Sequence, residues 1–314
     1  MNRIAVIDIG SNTIKCLVAT RDPEGRLIAI FEKSLPVRIS TGISAAEPVL
    51  SRDAIDAGSN AVAFLVHECQ KRGPIDAVKI VATSAVRDAS NRESFCKLVH
   101  QRAGQDVRVL TGIEEAQLIG LGIQEDPSLS SIGDDFCIAD IGGGSLELLK
   151  VEASKITHSA SLQLGSNRLT EKFVSHSQDP LDPKEAEAIE KHTTDAFIAS
   201  KFPITAPLVA TGGVITVWRS MYAQGQGLEL NEIPPELPAS NLAAWIEQFR
   251  AIDWEARKAI PGLPVQRADV IPTGFITIRA LLSYTGVSQL THSFYNLRFG
   301  VAARALASLE DLMP

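Results

Sequence analysis

Residues 138–150 read IADIGGGSLELLK, and the fold turns on whether a helix or a strand follows the glycines. An apolar run closes on Asp140, glycines occupy 142–144, Ser145 follows, and Glu147 stands inside a second apolar stretch. Glycine-rich turns that leave a strand commonly open a helix, whose N-terminus then takes an anion. Here no N-cap leads into a long amphipathic segment, and the apolar positions of SLELLKVE suit a half-buried strand. The stretch is therefore read as strand, glycine turn, strand.

The chain carries this pattern twice. RIAVIDIGSNTIKCLVAT (3–20) has the same apolar run, the same Asp-Ile-Gly, small residues, and a second apolar-alternating run. Asp8 heads the first copy as Asp140 heads the second. A repeat spaced by about half the chain points to two similar domains, each opening with a hairpin. Between and after the copies the pattern is α/β. Helical periodicity runs over 51–73 up to Gly73-Pro74, over 91–104 with a Ser or Asn cap and a terminal glycine, over 113–123, and over 182–200 with Pro183 in its first turn. Strands are expected at 76–83, 106–110 and in KITHSASL. Residues 206–221 read as strand, glycine turn and helix, 225–240 as a Gly/Pro-rich loop, and the last segments as helices around a short strand. The polar stretch 124–135 is the expected hinge.

Composition narrows the function classes. At 314 residues, 45% hydrophobic and 21% charged, the chain has the make-up of a soluble globular protein with room for two cores. A net charge of −7 argues against binding a nucleic acid polymer, although a local anion site remains compatible with it. Cys16, Cys69, Cys96 and Cys137 form no C-x-x-C pair and each sits in an apolar stretch, so reduced core thiols are expected. No apolar run reaches the length of a membrane span, and the N-terminus goes directly into a strand with no signal-peptide pattern, so a cytoplasmic location is expected.

Two α/β domains place a ligand in the cleft between them, with the glycine turns facing it. Successive backbone N–H groups of a tight turn form an anion-binding concavity without needing a helix. Asp140 and Glu147 add oxygen ligands suited to Mg²⁺, which neutralises phosphate charge. A phosphate site accounts for the glycines and the carboxylates together.

These residues resemble the exopolyphosphatase / guanosine pentaphosphate phosphatase family of the actin-like ATPase-domain superfamily. The resemblance runs almost end to end through DIGSNT (8–13), VRISTG (37–42), VATSAVRDASN (81–91), TGIEEAQLIGLG (111–122), DIGGGSLE (140–147), SLQLGSNRLTEKF (161–173), ATGG (210–213) and RADVIPTG (267–274). It implies two actin-like (ribonuclease H-like) domains with an interdomain cleft, one over 1–123 with the C-terminal helix 299–314 packing back on it, and one over 124–298. The implied activity is Mg²⁺-dependent hydrolysis of a terminal phosphoanhydride, with polyphosphate or guanosine pentaphosphate as substrate. A homodimer is compatible with it.

The resemblance also implies residue roles. The second glutamate of the E-E-A motif, Glu115, is the general base, and Arg87 of the A-T-x-A-x-R motif contacts the phosphate. Gly10, Ser11, Asn12 and Thr13 of the first turn, and Gly142, Gly143, Gly144 and Ser145 of the second, hold phosphoryl oxygens. Asp140 and Glu147 bind the metal. Asp8 either joins the metal or its water or caps its turn. Gly212 and Gly213 either meet a nucleoside or further phosphate or simply start a helix. Elementary geometry adds that Glu114 and Glu115, adjacent on a helix, point about 100° apart, so only one of them faces a ligand. Leu146, Gln117, Val214, Gln163, Ser166 and Asn167 depart from the family pattern without touching Glu115, Arg87, Asp140 or Glu147. They bear on the choice of substrate. A non-catalytic regulator that binds a phosphorylated ligand, or a kinase of the same superfamily, are the competing classes. A pure binder needs no general base, and a kinase needs an acceptor pocket.

Overall fold

The computed structural model describes residues 2–310, so residues 311–314 of the expected C-terminal helix lie outside the described residues. The chain divides into two compact units, Met1–Pro127 with Tyr295–Pro314, and Ser128–Phe294.

The first unit opens with β1 (Ile4–Ile9) and β2 (Ile14–Arg21), an antiparallel hairpin in which Asp8 stands opposite Lys15 and Ile9 opposite Ile14. A third strand, β3 (Leu27–Leu35), continues the meander. It shows no clean period in the sequence because most of its side chains are at least partly exposed. Helix α1 (Arg52–Gln70) starts on Ser51, whose side chain accepts from the Ala54 N–H. Parallel to β1 runs β4 (Ala77–Ala82), followed by the short α2 (Ser84–Asp88) and α3 (Arg92–Ala103). Gly104 closes α3 at φ 66°, as expected. The expected polar cap at its start is different, for Asn91 spends its side chain on the Leu50 backbone, accepting from N and donating to O, each at 2.9 Å. Strand β5 (Val107–Val109) and helix α4 (Gly112–Gln124) follow. The sheet order is β3-β2-β1-β4-β5. Ile4, Ala5, Val6 and Ile7 are all buried, as befits a central strand covered on both faces.

In the second unit β6 (Phe136–Ile141) and β7 (Leu146–Glu152) repeat the hairpin, with Asp140 opposite Glu147 and Ile141 opposite Leu146. The reading of IGGGSLELLK as a strand–turn–strand unit is what the structure shows. Strand β8 (Lys155–Leu162), helix α5 (Ser166–Phe173), helix α6 (Pro183–Ser200), strand β9 (Leu208–Thr211) and helix α7 (Gly213–Gln224) come next. The loop expected at 225–240 contains a short edge strand, β10 (Glu236–Pro238). Helices α8 (Ser240–Ala251), α9 (Trp254–Lys258) and α10 (Ile271–Thr285) lead to β11 (Gln289–His292), parallel to β9. The order β10-β11-β9-β6-β7-β8 is the first sheet's order repeated, with β10 added antiparallel at the edge.

The chain then returns to the first unit, where α11 (Leu297–Glu310) packs on α4, β1 and β2. Its crossing with α4 uses glycines on both sides: a Cβ at Gly122 would overlap the Asn296 carbonyl, and one at Gly300 the Leu118 carbonyl. Among the described residues no helix is long and apolar enough to cross a membrane. Cys16, Cys69 and Cys137 are buried, Cys96 is half-buried, and all four are free thiols.

Candidate active site

In the first unit, residues 10–13 form the turn between β1 and β2, at the carboxyl ends of the parallel strands β1 and β4, where α/β sheets place their ligands. The two strand ends are joined there. The Thr83 N–H donates to the Ile9 carbonyl at 3.2 Å, and the Ser11 and Ser84 hydroxyls lie 3.3 Å apart. A later segment braces the turn from outside, with Arg38 Nε donating to Asn12 Oδ1 at 2.8 Å and the Ile39 N–H to the Ser11 carbonyl at 3.2 Å. Asp8 keeps a little exposed surface, but its Oδ1 is enclosed and accepts no hydrogen bond. Burial pushes its carboxyl above the ordinary value of 3.8, with Lys15 and Arg298 pulling the other way.

Helix α4 separates the adjacent glutamates as helix geometry requires. Glu114 turns back to the helix start, where its Oε2 accepts from the Thr111 N–H at 2.9 Å while the Thr111 hydroxyl accepts from the Glu114 N–H at 3.2 Å. Arg108 Nη2 donates to its other oxygen at 2.7 Å. The Thr111 backbone contact first, and then Arg108, hold the Glu114 carboxyl down to about 2. Glu115 points inward, is only 7% exposed, and accepts from Arg87 Nη1 at 2.6 Å. The same Nη1 donates to the Leu110 carbonyl at 3.2 Å, and Arg92 Nη1 caps the Arg87 carbonyl at 3.0 Å. Two side chains 28 residues apart thus form one charge-assisted, half-buried pair.

In the second unit, residues 142–145 form the turn between β6 and β7. Asp140 and Glu147 face each other across the ladder and share one side of the sheet. Glu147 is 1% exposed and accepts from Ser161 Oγ at 2.8 Å. The next strand end supplies Gly212, at φ 97°, and Gly213, which opens α7. A Cβ at Gly212 would overlap Asp140 Oδ1, and one at Gly213 would overlap the Arg267 guanidinium. Only glycine meets both the backbone angle and the space at 212. Behind the 142–145 turn lies the start of α5, whose first N–H groups donate to the glycine carbonyls, Ser166 to Gly142 at 3.0 Å and Asn167 to Gly143 at 2.8 Å. Arg168 Nε donates to the Gly144 carbonyl at 2.8 Å.

The oxygen donors fit a hard divalent cation that takes one or two carboxylates and completes its shell with water and ligand oxygens. Asp140 and Glu147 of the second unit form such a pair. Among the described residues no group of three or more His, Cys, Asp or Glu side chains is gathered for a metal.

A model of the Ppx/GppA phosphatase family matches residues 17–309. The chain belongs to that family. It is similar to exopolyphosphatase 2 of Mycobacterium tuberculosis, at 27% identity over 96% of this chain and 98% of that protein. Among solved structures it is similar to the Ppx/GppA enzyme of Aquifex aeolicus, with a TM-score of 0.77 and 27% identity over 96% of this chain and 98% of that one. An exopolyphosphatase from Cytophaga hutchinsonii shares the fold, with a TM-score of 0.87 at 23% identity over 98% of both chains. Membership makes the chain a phosphoanhydride hydrolase built from two actin-like domains. The family match begins after the first turn, which therefore rests on the repeat and its register. Ser84, Arg38, Ser161, Arg168 and Arg267 were given no role by the sequence. Each nevertheless lies in one of the stretches 81–91, 37–42, 161–173 and 267–274 that carry the resemblance, and that membership is the signal that could have found them.

Proposed function

We propose that the protein is a Mg²⁺-dependent exopolyphosphatase, which releases the terminal phosphate of inorganic polyphosphate. The observation that carries this reading is the buried Glu115 held by Arg87 at 2.6 Å in a chain of a phosphatase family. Hydrolysis needs a positioned water, an acceptor for its proton and positive groups around the phosphoryl oxygens. Glu115 takes the proton as water attacks the terminal phosphorus and the bridging P–O bond breaks. Arg87 holds the equatorial oxygens, where its planar fork meets two at once. The backbone N–H groups of 10–13 and 142–145 bind phosphoryl oxygens, and the Gly212–Gly213 turn meets a further phosphate. Asp140 and Glu147 are the residues to hold Mg²⁺, with Asp8 joining through the metal or its water. A bound Mg²⁺ supplies charge neutralisation at the phosphoryl oxygens. The similarity to a protein named an exopolyphosphatase over nearly its whole length favours polyphosphate over guanosine pentaphosphate.

The test is phosphate release from polyphosphates of several lengths, guanosine pentaphosphate and ATP, with Mg²⁺ and with EDTA. Release from polyphosphate that stops on chelation is expected. Release from guanosine pentaphosphate alone overturns the substrate, chelator-insensitive release overturns the metal, and no release from any compound replaces the enzyme with a binding protein.

A further inference from the structure

The turn at 142–145 is held in an unusual way. Among the described residues, the N–H groups of Gly143, Gly144 and Ser145 donate to no protein acceptor, although Gly144 and Ser145 are buried. Buried amides are almost always paired, so those of Gly144 and Ser145, with half-buried Gly143 beside them, point to an anion as their partner. The carbonyls on the other side of the same peptides are fully engaged. Gly142 O accepts from Ser166 N at 3.0 Å, and Gly143 O from Asn167 N and Arg168 N at 2.8 and 3.1 Å. Gly144 O accepts from Arg168 Nε at 2.8 Å. Arg168 itself is 7% exposed. Gly165 lies so close that a Cβ there would overlap the backbone of Gly143 and Gly144.

We propose that Arg168 is a positioning residue for the phosphate turn. A peptide unit is planar, so fixing its carbonyl fixes the direction of the N–H on its far side. By gripping Gly144 O, Arg168 orients the Ser145 N–H, and the 166–168 backbone orients those of Gly143 and Gly144. The arginine does this as a charge-assisted donor, which a neutral side chain cannot match. Gly165 permits the close approach. Gly165 and the first turn of α5 are thus the back of the site, and their work is to preorganise amides whose partner is a phosphoryl group. This rests on the phosphohydrolase reading for its ligand, while the orientation of the amides stands on geometry alone.

The experiment compares Arg168→Ala, Arg168→Lys and Gly165→Ala with wild type. It reads thermal midpoint, hydrogen exchange of the 142–145 amides, calorimetric binding of inorganic phosphate, and kcat and KM on polyphosphate. Arg168→Ala is expected to speed exchange in the turn and weaken both phosphate binding and kcat/KM by about 10- to 100-fold, the usual penalty of an ångström-scale misplacement. Arg168→Lys should fall between, and millimolar guanidinium should partly restore Arg168→Ala, a response that a merely structural arginine does not give. Gly165 has φ −69°, which alanine adopts freely, so Gly165→Ala acts only by pushing on the turn. It carries the test if Arg168→Ala does not fold. Unchanged phosphate affinity and exchange in folded Arg168→Ala or Gly165→Ala would overturn the proposal, as would a lowered thermal midpoint with normal kinetics. A wild-type protein that binds phosphate but hydrolyses nothing defeats the enzyme reading instead, and the exchange and binding data still decide the role of Arg168.

Discussion

The two hairpins that open the units share a register and differ in charge. In the first, one row across three strands reads Asp8, Lys15, Ser34; in the second, the corresponding row reads Asp140, Glu147, Ser161. Only the middle position changes sign. The first turn therefore sets a lysine beside its aspartate, whereas the second sets two carboxylates side by side. Their bracing differs too. Arg38 and Ile39 reach the first turn at one side chain and one carbonyl, while the 166–168 segment engages three successive carbonyls of the second. A duplicated fold thus carries two unlike halves of chemistry. Glu115, the proposed general base, and Arg87 belong to the first unit, and the carboxylate pair to the second.

The largest expected effect lies on the first side of this division. Glu115→Gln keeps the size of the side chain but cannot take a proton from water, and kcat should fall by about 10²–10⁴-fold. The thermal midpoint should move little, and Glu114→Gln should leave turnover near wild type, because a glutamine also serves in its capping box. Steady-state kinetics showing more than about a tenth of wild-type activity in Glu115→Gln would remove the base from the first unit.

Next comes the metal. Asp140→Asn and Glu147→Gln should each raise the Mg²⁺ concentration for half-maximal activity, by about tenfold or more. Asp8→Asn should raise it less, since Lys15 already faces Asp8. A Mg²⁺ titration in which Asp8→Asn is the most affected variant would break the contrast between the turns.

Asp8 makes a smaller prediction in the opposite direction. Its folded value is raised by burial, so its contribution to stability is intact below the ordinary 3.8 and is lost as pH rises through the folded value. Asp8→Asn removes that loss. At neutral pH the variant should melt higher than wild type, at about 2–4 °C per kcal/mol recovered, with the gain vanishing in acid. Calorimetry over a pH series checks this, and a lower midpoint at pH 7 counts against an enclosed, unsatisfied carboxylate.

The smallest effect near neutrality belongs to the second unit alone. His292 is buried with Arg219 Nη1 3.2 Å from its Nδ1, and burial first, then Arg219, hold its imidazole down to about 3. A depressed histidine leaves stability intact above the ordinary 6.5 and withdraws it as pH falls from there toward 3, at up to about 1.4 kcal/mol per pH unit. His292→Asn should flatten the acid limb of the stability curve. An unchanged limb would place the acid sensitivity elsewhere.

Most of the architecture was legible because it is local. Period-two alternation identified both hairpins, Pro183 marked the start of α6, and Gly104 the end of α3. What escaped had weak local signals. Strand β3 is largely exposed, α5 starts on Gly165 with no side-chain cap, and β10 and α8 hide around a proline-rich stretch. The candidate site divides along the same line. The turns, Asp140 opposite Glu147, and the divergence of Glu114 from Glu115 follow from strand and helix periods, which act over a few residues.

The duplicated α/β units, the glycine turns and the residue types that stand at them were thus set by hydrophobic period and turn chemistry, which act between near neighbours. Long-range packing set the rest: Arg87 grips Glu115, Arg168 grips Gly144, Asp8 Oδ1 is enclosed without a donor, and β11 slots between β9 and β10. Those arrangements join segments far apart in the chain, and their energies appear only when burial removes water and leaves each polar group to the partner that packing brings within reach.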